Sequence, residues 1–224
     1  HHLRAKRANT AGNLGLVADD CIAIGLHGDG VPCRKKGSIE CLSWNPAGLP
    51  EHERILFATL DKRYCCKCGC AGRHSLNRML EVFVWSLECC YSGSYPVVRH
   101  DGTPWLRSDS VRAKRVGKTL PLALLLQIRA DWAWLNQVFH FPAWSSTNIC
   151  WRCRADNADN DWTDVSPTAN WRKCRLSPRQ FVAIQRSEGI TPCPIFGLPG
   201  VSTETVTIDV LHALDLGFSQ DLIG

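Results

Sequence analysis

Residues 22–30 read IAIGLHGDG and residues 122–131 read LALLLQIRAD. Each is an apolar run that ends on or beside an aspartate, Asp29 in the first and Asp131 in the second. Runs of this kind, too short for a membrane span and apolar without alternation, read as strands buried on both faces. The first extends from about Cys21 to His27 and is closed by Gly28 and Gly30.

Between these runs, GSIECLSWN (37–45) alternates as a second strand, ended by Pro46 and Gly48, and RILFATLD (54–61) reads as a third. Short connections favour an antiparallel meander. SLNRMLEVFVWSLECCYSG carries Leu76, Met79, Leu80, Phe83, Val84 and Leu87 at helical spacing, with Ser75 as expected N-cap and Gly93 as stop. A polar loop covers about 94–118. The second apolar run then gives a fourth strand, and DWAWLNQVFHF a short helix ended by Pro142. Residues 143 to about 199 are irregular, Trp-rich, Cys-containing and punctuated by Pro, and TETVTIDVLHALDLGFSQDLIG reads as a strand passing into a helix.

Three strands, a helix, a fourth strand, a short helix, an insertion, then strand and helix is the order of the RNase H-like fold, in which the first and fourth strands are neighbours. The expected fold is therefore α/β: an RNase H-like mixed sheet flanked by helices, with an irregular Cys/Trp-rich, zinc-binding insertion. Its expected parts are a basic lead-in (1–16), a core (17–142), the insertion (143–200) and a strand–helix return (201–224).

The 224 residues suffice for one sizeable core, and 45% hydrophobic with 21% charged residues is an ordinary globular composition. No apolar stretch is long enough to cross a bilayer, and HHLRAKRANT lacks the apolar core of a secretory signal. A net charge of +5 and pI near 8.6 lean mildly toward polyanions. The basic clusters RAKR, CRKK and VRAKRVGK read first as solvated loops. If nucleic acid is the partner, Arg34, Lys35, Lys36, Arg112, Lys114 and Arg115 are its expected contacts. Thirteen cysteines beside a large core, with no N-x-S/T sequon, fit a reducing intracellular compartment in which cysteines bind metals or pack.

In the expected strand order Asp29 and Asp131 end neighbouring strands at one sheet edge. Two facing carboxylates repel unless a cation lies between them, and hard Mg2+ (or Mn2+) prefers carboxylate oxygen and leaves room for phosphate. Paired ions of this kind clamp the attacking and leaving oxygens of phosphoryl transfer. The glycines beside Asp29 would admit a phosphate backbone. The plainer alternative makes Asp29 a turn residue and Asp131 an N-cap.

Cys150 and Cys153 form a C-x2-C knuckle with spacing suited to tetrahedral zinc, and Asp209 and His212 of DVLH offer two further ligands on one helix face. Cys174 and Cys193 are competing ligands; two packed cysteines are the bland alternative. YCCKCGCAGRH is a second, weaker zinc candidate, through Cys65, Cys68, Cys70 and His74. Trp132, Trp134, Trp144, Trp151, Trp162 and Trp171 could stack on bases; core packing is their expected fate. No G-x-S-x-G, Walker A or dinucleotide fingerprint is present.

With these residues in view, the chain resembles the catalytic region of eukaryotic DDE/D cut-and-paste transposases, most nearly the CACTA group. GDGVP with SIECLSWNP looks like the segment bearing the first acid. ADWAWLNQVFHFPAWSSTNICWRC looks like the second acid followed by the family's C-x2-C, and IDVLHALDLGFSQDLIG is similar to its D-x2-H block. The likeness implies Asp29 and Asp131 as metal-binding catalytic acids, with Cys150, Cys153, Asp209 and His212 as the insertion's motif. It also implies DNA (transposon ends and target) as partner, a nuclear location and a homo-oligomer. The family's third acid lies on a helix beyond the D-x2-H block, so the chain is expected to be a fragment, inactive alone; Asp215 and Asp221 lie too close to that block to replace it. The rival expectations are a zinc-stabilised DNA- or protein-binding module without chemistry, and another RNase H-like nuclease.

Overall fold

In the computed structural model, which describes residues 2–34, 37–47, 53–143, 145–156 and 158–207, the two opening runs become adjacent strands of one five-stranded sheet. β1 (Cys21–Arg34), β2 (Gly37–Pro46) and β3 (Ile55–Asp61) form the expected antiparallel meander. β4 (Leu122–Arg129) lies parallel to β1, and the short β5 (Val206–Thr207) lies parallel to β4. The order across the sheet is β3-β2-β1-β4-β5, a mixed sheet flanked by helices. Ala123, Leu124, Leu125, Leu126 and Ile128 are all buried, which is why β4 has no polar alternation: both of its faces are covered.

One face of the sheet presents Ile24, Leu26, Leu42, Leu125 and Ile128 to α2 (Arg73–Ser92) and α4 (Trp132–Phe139). Leu76, Leu80, Phe83 and Leu87 form the buried stripe of α2, at the helical spacing read from the sequence. Its start differs from expectation. Gly72 is the N-cap, and the Ser75 hydroxyl accepts instead from the Cys66 N–H at 2.9 Å. Gly93 ends the helix at φ 65°, as a C-cap glycine does.

The other face carries Cys21, Leu124 and Leu126, and is covered by α1 (His2–Asn13) through Ala11, with Leu3, Leu14 and Leu16 packed around it. Most of the basic lead-in is thus a helix. Its contacts with the sheet are few enough to leave little periodicity in the sequence.

β1 is also longer than expected. It runs through Gly28 and Gly30 to Arg34, because β2 continues to pair with it as far as Gly37. The glycines do not break the strand.

In the insertion, α5 (Pro178–Ser187) begins with a Ser177–Gln180 capping box and Pro at its first turn. Phe181 and Phe196 join Phe139 and Phe141 in the main core, and Trp151 stacks on Phe141 with ring centroids 5.0 Å apart and 16° between the planes. The buried Gln185 donates its Nε2–H to the Phe139 carbonyl at 2.6 Å, tying α5 to the end of α4. Each large apolar side chain removed from water in this way contributes roughly 1.5–3 kcal/mol.

Candidate functional site

β1 and β4 pair, with one register shift after Ile24, as far as His27 and Arg129, the last pair of their ladder. Asp29 and Asp131 each lie two residues further on, just beyond that end of the ladder. Asp29 is exposed and does not end its strand; it sits inside β1, opposite Cys41 of β2. Asp131 is half-buried and caps α4, its Oδ1 accepting the Trp134 N–H at 2.6 Å. The N-cap role weighed for Asp131 is thus observed, and it leaves the second carboxylate oxygen uncommitted to the cap.

Gly28 has a reason of its own. A Cβ there would come within 2.2 Å of the Trp134 indole, so the glycine makes room for a tryptophan. Beside it, His27 is buried, its Nε2–H donating to Asn45 Oδ1 at 2.8 Å, while the Asn45 amide donates to the Pro46 carbonyl. Burial lowers the His27 pKa, the Asn45 bond opposes that, and the positive charges of Arg54 and Arg129 add to it. Glu40, opposite Gly30, is 1% exposed and pairs with Lys62 Nζ at 2.9 Å. Among the described residues, the one group of three or more Cys, His, Asp or Glu placed to hold a metal contains neither Asp29 nor Asp131.

That group is Cys66, Cys68, Cys70 and His74, whose ligand atoms all lie within 4.8 Å of one another, a Cys3His set of the kind that could bind zinc. Of the weaker zinc candidate, Cys68, Cys70 and His74 are in this group, and Cys66 stands in it where the sequence reading had Cys65. The Cys65 Sγ would sit 3.4 Å from a Cβ on Gly72, and its thiol pKa is raised by burial and by Glu40. Positive φ at Gly69, Ala71 and Gly72 curls the loop so that Cys70 and His74 meet the others. Cys70 lies at the start of α2, where the His74 backbone N–H holds its thiol down to about 6.

The Cys150/Cys153 knuckle lies in the insertion. Cys150 Sγ accepts the Arg152 N–H at 3.3 Å, and Cys153 is buried, its thiol pushed up to about 11 by that burial with Cys150 and Cys174 nearby. A bridge between Cys153 and Arg175 brings Cys174 alongside. Asp209 and His212 lie outside the described residues. Cys193 packs in the main core, where burial raises its thiol to about 12. Cys150 and Cys153 line a cleft of about 600 Å³ together with His140, Asp156 and Gln185.

Trp134 and Trp151 are core residues, as expected. Trp132 packs on Phe141 and Trp151, and Trp171 lies under the Arg172 guanidinium at 4.3 Å. Trp162 is exposed and Trp144 falls outside the described residues. Of the expected DNA contacts, Arg112 is exposed and pairs with Asp109 at 3.1 Å, while Lys114 and Arg115 are exposed. Arg34 ends β1, but its side chain, with Lys35 and Lys36, lies outside the description. Among the described residues no helix is long and apolar enough to cross a membrane.

Compared with protein-family models, with curated proteins and with solved structures, the chain matches none.

Proposed function

We propose that this chain carries the acidic edge of an RNase H-like phosphoryl-transfer domain of the DDE/D transposase type, acting on DNA in the nucleus. One observation carries the reading: Asp29 and Asp131 each follow by two residues the last pair of the parallel β1–β4 ladder, His27 and Arg129. The strand order, with the antiparallel meander on one side of that pair, supports it.

In this reading Asp29 and Asp131 hold Mg2+ or Mn2+. Ions bound there supply Lewis-acid activation of a phosphodiester and of its nucleophile. The chain's own contribution is placement. The β1–β2 ladder holds Asp29, and the Trp134 N–H fixes the Asp131 carboxylate by one oxygen. Among the described residues no third Cys, His, Asp or Glu is placed to share a metal with both carboxylates. Strand transfer between DNA ends and target by a homo-oligomer completes the reading.

Mn2+ titration followed by electron paramagnetic resonance tests the proposal. Asp29→Asn and Asp131→Asn should each weaken Mn2+ binding about tenfold or more, equivalent to about 1.4 kcal/mol. Unchanged affinity in both variants would end it.

A second reading, a zinc-stabilised binding module without chemistry, is favoured by the Cys3His cluster. It predicts DNA or protein binding that is indifferent to Asp29→Asn.

A further inference from the structure

We infer that Cys66, Cys68, Cys70 and His74 form a tetrahedral zinc centre that clamps the loop between β3 and α2 onto α4. Distances support the ion. With Zn–S near 2.3 Å and Zn–N near 2.05 Å, a tetrahedral site has S···N edges of about 3.6 Å and S···S edges of about 3.8 Å. Cys68 Sγ and Cys66 Sγ lie 3.4 and 3.9 Å from His74 Nδ1, on either side of that value. The sulfurs are gathered more loosely, all four ligand atoms falling within 4.8 Å of one another. None of the three cysteines is in a disulfide.

Ligand chemistry selects the metal. Soft thiolates with one imidazole suit Zn2+ and reject Mg2+, which keeps this centre distinct from the carboxylate edge. Binding releases the thiol protons, and three thiolates with a neutral imidazole around Zn2+ leave one net negative charge. Lys67 in the loop and Arg73 at the start of α2 are placed in sequence to balance it.

The loop's attachments give the centre its role. Gln137 of α4 donates its Nε2–H to the Ala71 carbonyl at 2.8 Å, and Lys62, the first residue of the loop, holds the buried Glu40 of β2. One small loop therefore touches both the helix capped by Asp131 and the strand beside Asp29. It has little apolar burial of its own, since Cys68, Gly69 and Ala71 are exposed. A metal would supply the missing cohesion.

Zinc content of the purified protein, measured by mass spectrometry, tests this. Cys66→Ser and His74→Ala should each lose one zinc equivalent, while Cys65→Ser keeps it. Zinc content unmoved by Cys66→Ser and His74→Ala overturns the inference. Should those variants not fold, alkylation mapping of the unaltered protein decides. Cys66, Cys68 and Cys70 should be protected with zinc and labelled at least tenfold faster after chelation, with exposed Cys33 labelled in both states. Equal labelling of the three with and without zinc overturns the inference. The inference does not rest on the phosphodiester reading, because Mn2+ titration reports on Asp29 and Asp131 and the zinc count on the cysteines.

Discussion

Trp134 lies against Gly28 so closely that a Cβ at position 28 would meet two ring carbons at 2.2 Å. The same tryptophan gives its backbone N–H to Asp131 at 2.6 Å. A single side chain thus braces the residue before Asp29 while its main chain braces Asp131.

Gly28→Ala should therefore displace the indole or the strand. Overpacking of this kind costs about 1–3 kcal/mol, a fall in Tm of about 3–9 °C for a chain of this size. A thermal melt that matches the unaltered protein would show that the contact yields freely.

The observed capping by Asp131 and its proposed metal binding are separable. Asn caps a helix about as well as Asp, so Asp131→Asn should leave stability nearly unchanged while weakening Mn2+ binding. Asp131→Ala should lose both, with about 1 kcal/mol of stability. Urea melts of the two variants beside the Mn2+ titration make the distinction; equal destabilisation by both would contradict it.

Glu40 is 1% exposed, and its carboxylate has no hydrogen bond beyond the ion pair with Lys62, whose side chain is 43% exposed. Removing the lysine strands a buried charge. Lys62→Met should cost about 1–3 kcal/mol, below the full range for breaking a buried pair because one end is wet. The double variant Glu40→Leu/Lys62→Met should recover at least half of that loss, and denaturant unfolding of all three proteins closes the cycle.

His27 makes folding pH-dependent. Its folded pKa lies below the ordinary value of 6.5, so on acidification the unfolded chain takes up the proton first. The stability contributed by neutral, buried His27 is full above pH 6.5 and is lost as pH falls from there toward the folded pKa. Urea midpoints at pH 7.5, 6.5 and 5.5 should decline, and His27→Gln should flatten the decline. An unchanged slope in that variant would place the effect elsewhere.

The sheet was largely legible. β4 is apolar on both faces because a central parallel strand is covered twice, and the meander follows from short connections. The Asp131 cap follows from local chemistry. What escaped were features decided by tertiary contact. Gly28 reads as a stop, yet it lies within a continuous strand because an indole needs its space. Counting C-x2-C intervals selects Cys65, whereas the folded loop, curled at three positive-φ residues, gathers Cys66 with Cys68, Cys70 and His74. The capping box that starts α5 stood in the sequence as SPRQ, hidden by the cysteines and prolines around it. α1 shows almost no amphipathic pattern, since it touches the sheet through few side chains.

β1 parts from β4 at His27 and carries on beside β2 alone. Within two residues an interior strand becomes a rim: His27 is sealed away and Asp29 is wet. The carboxylate thereby enjoys free access to incoming ions while its backbone keeps the stiffness of a strand locked into its neighbour. Reactive groups usually gain such openness by sitting on a loop and surrendering rigidity, a compromise that an overhanging strand avoids.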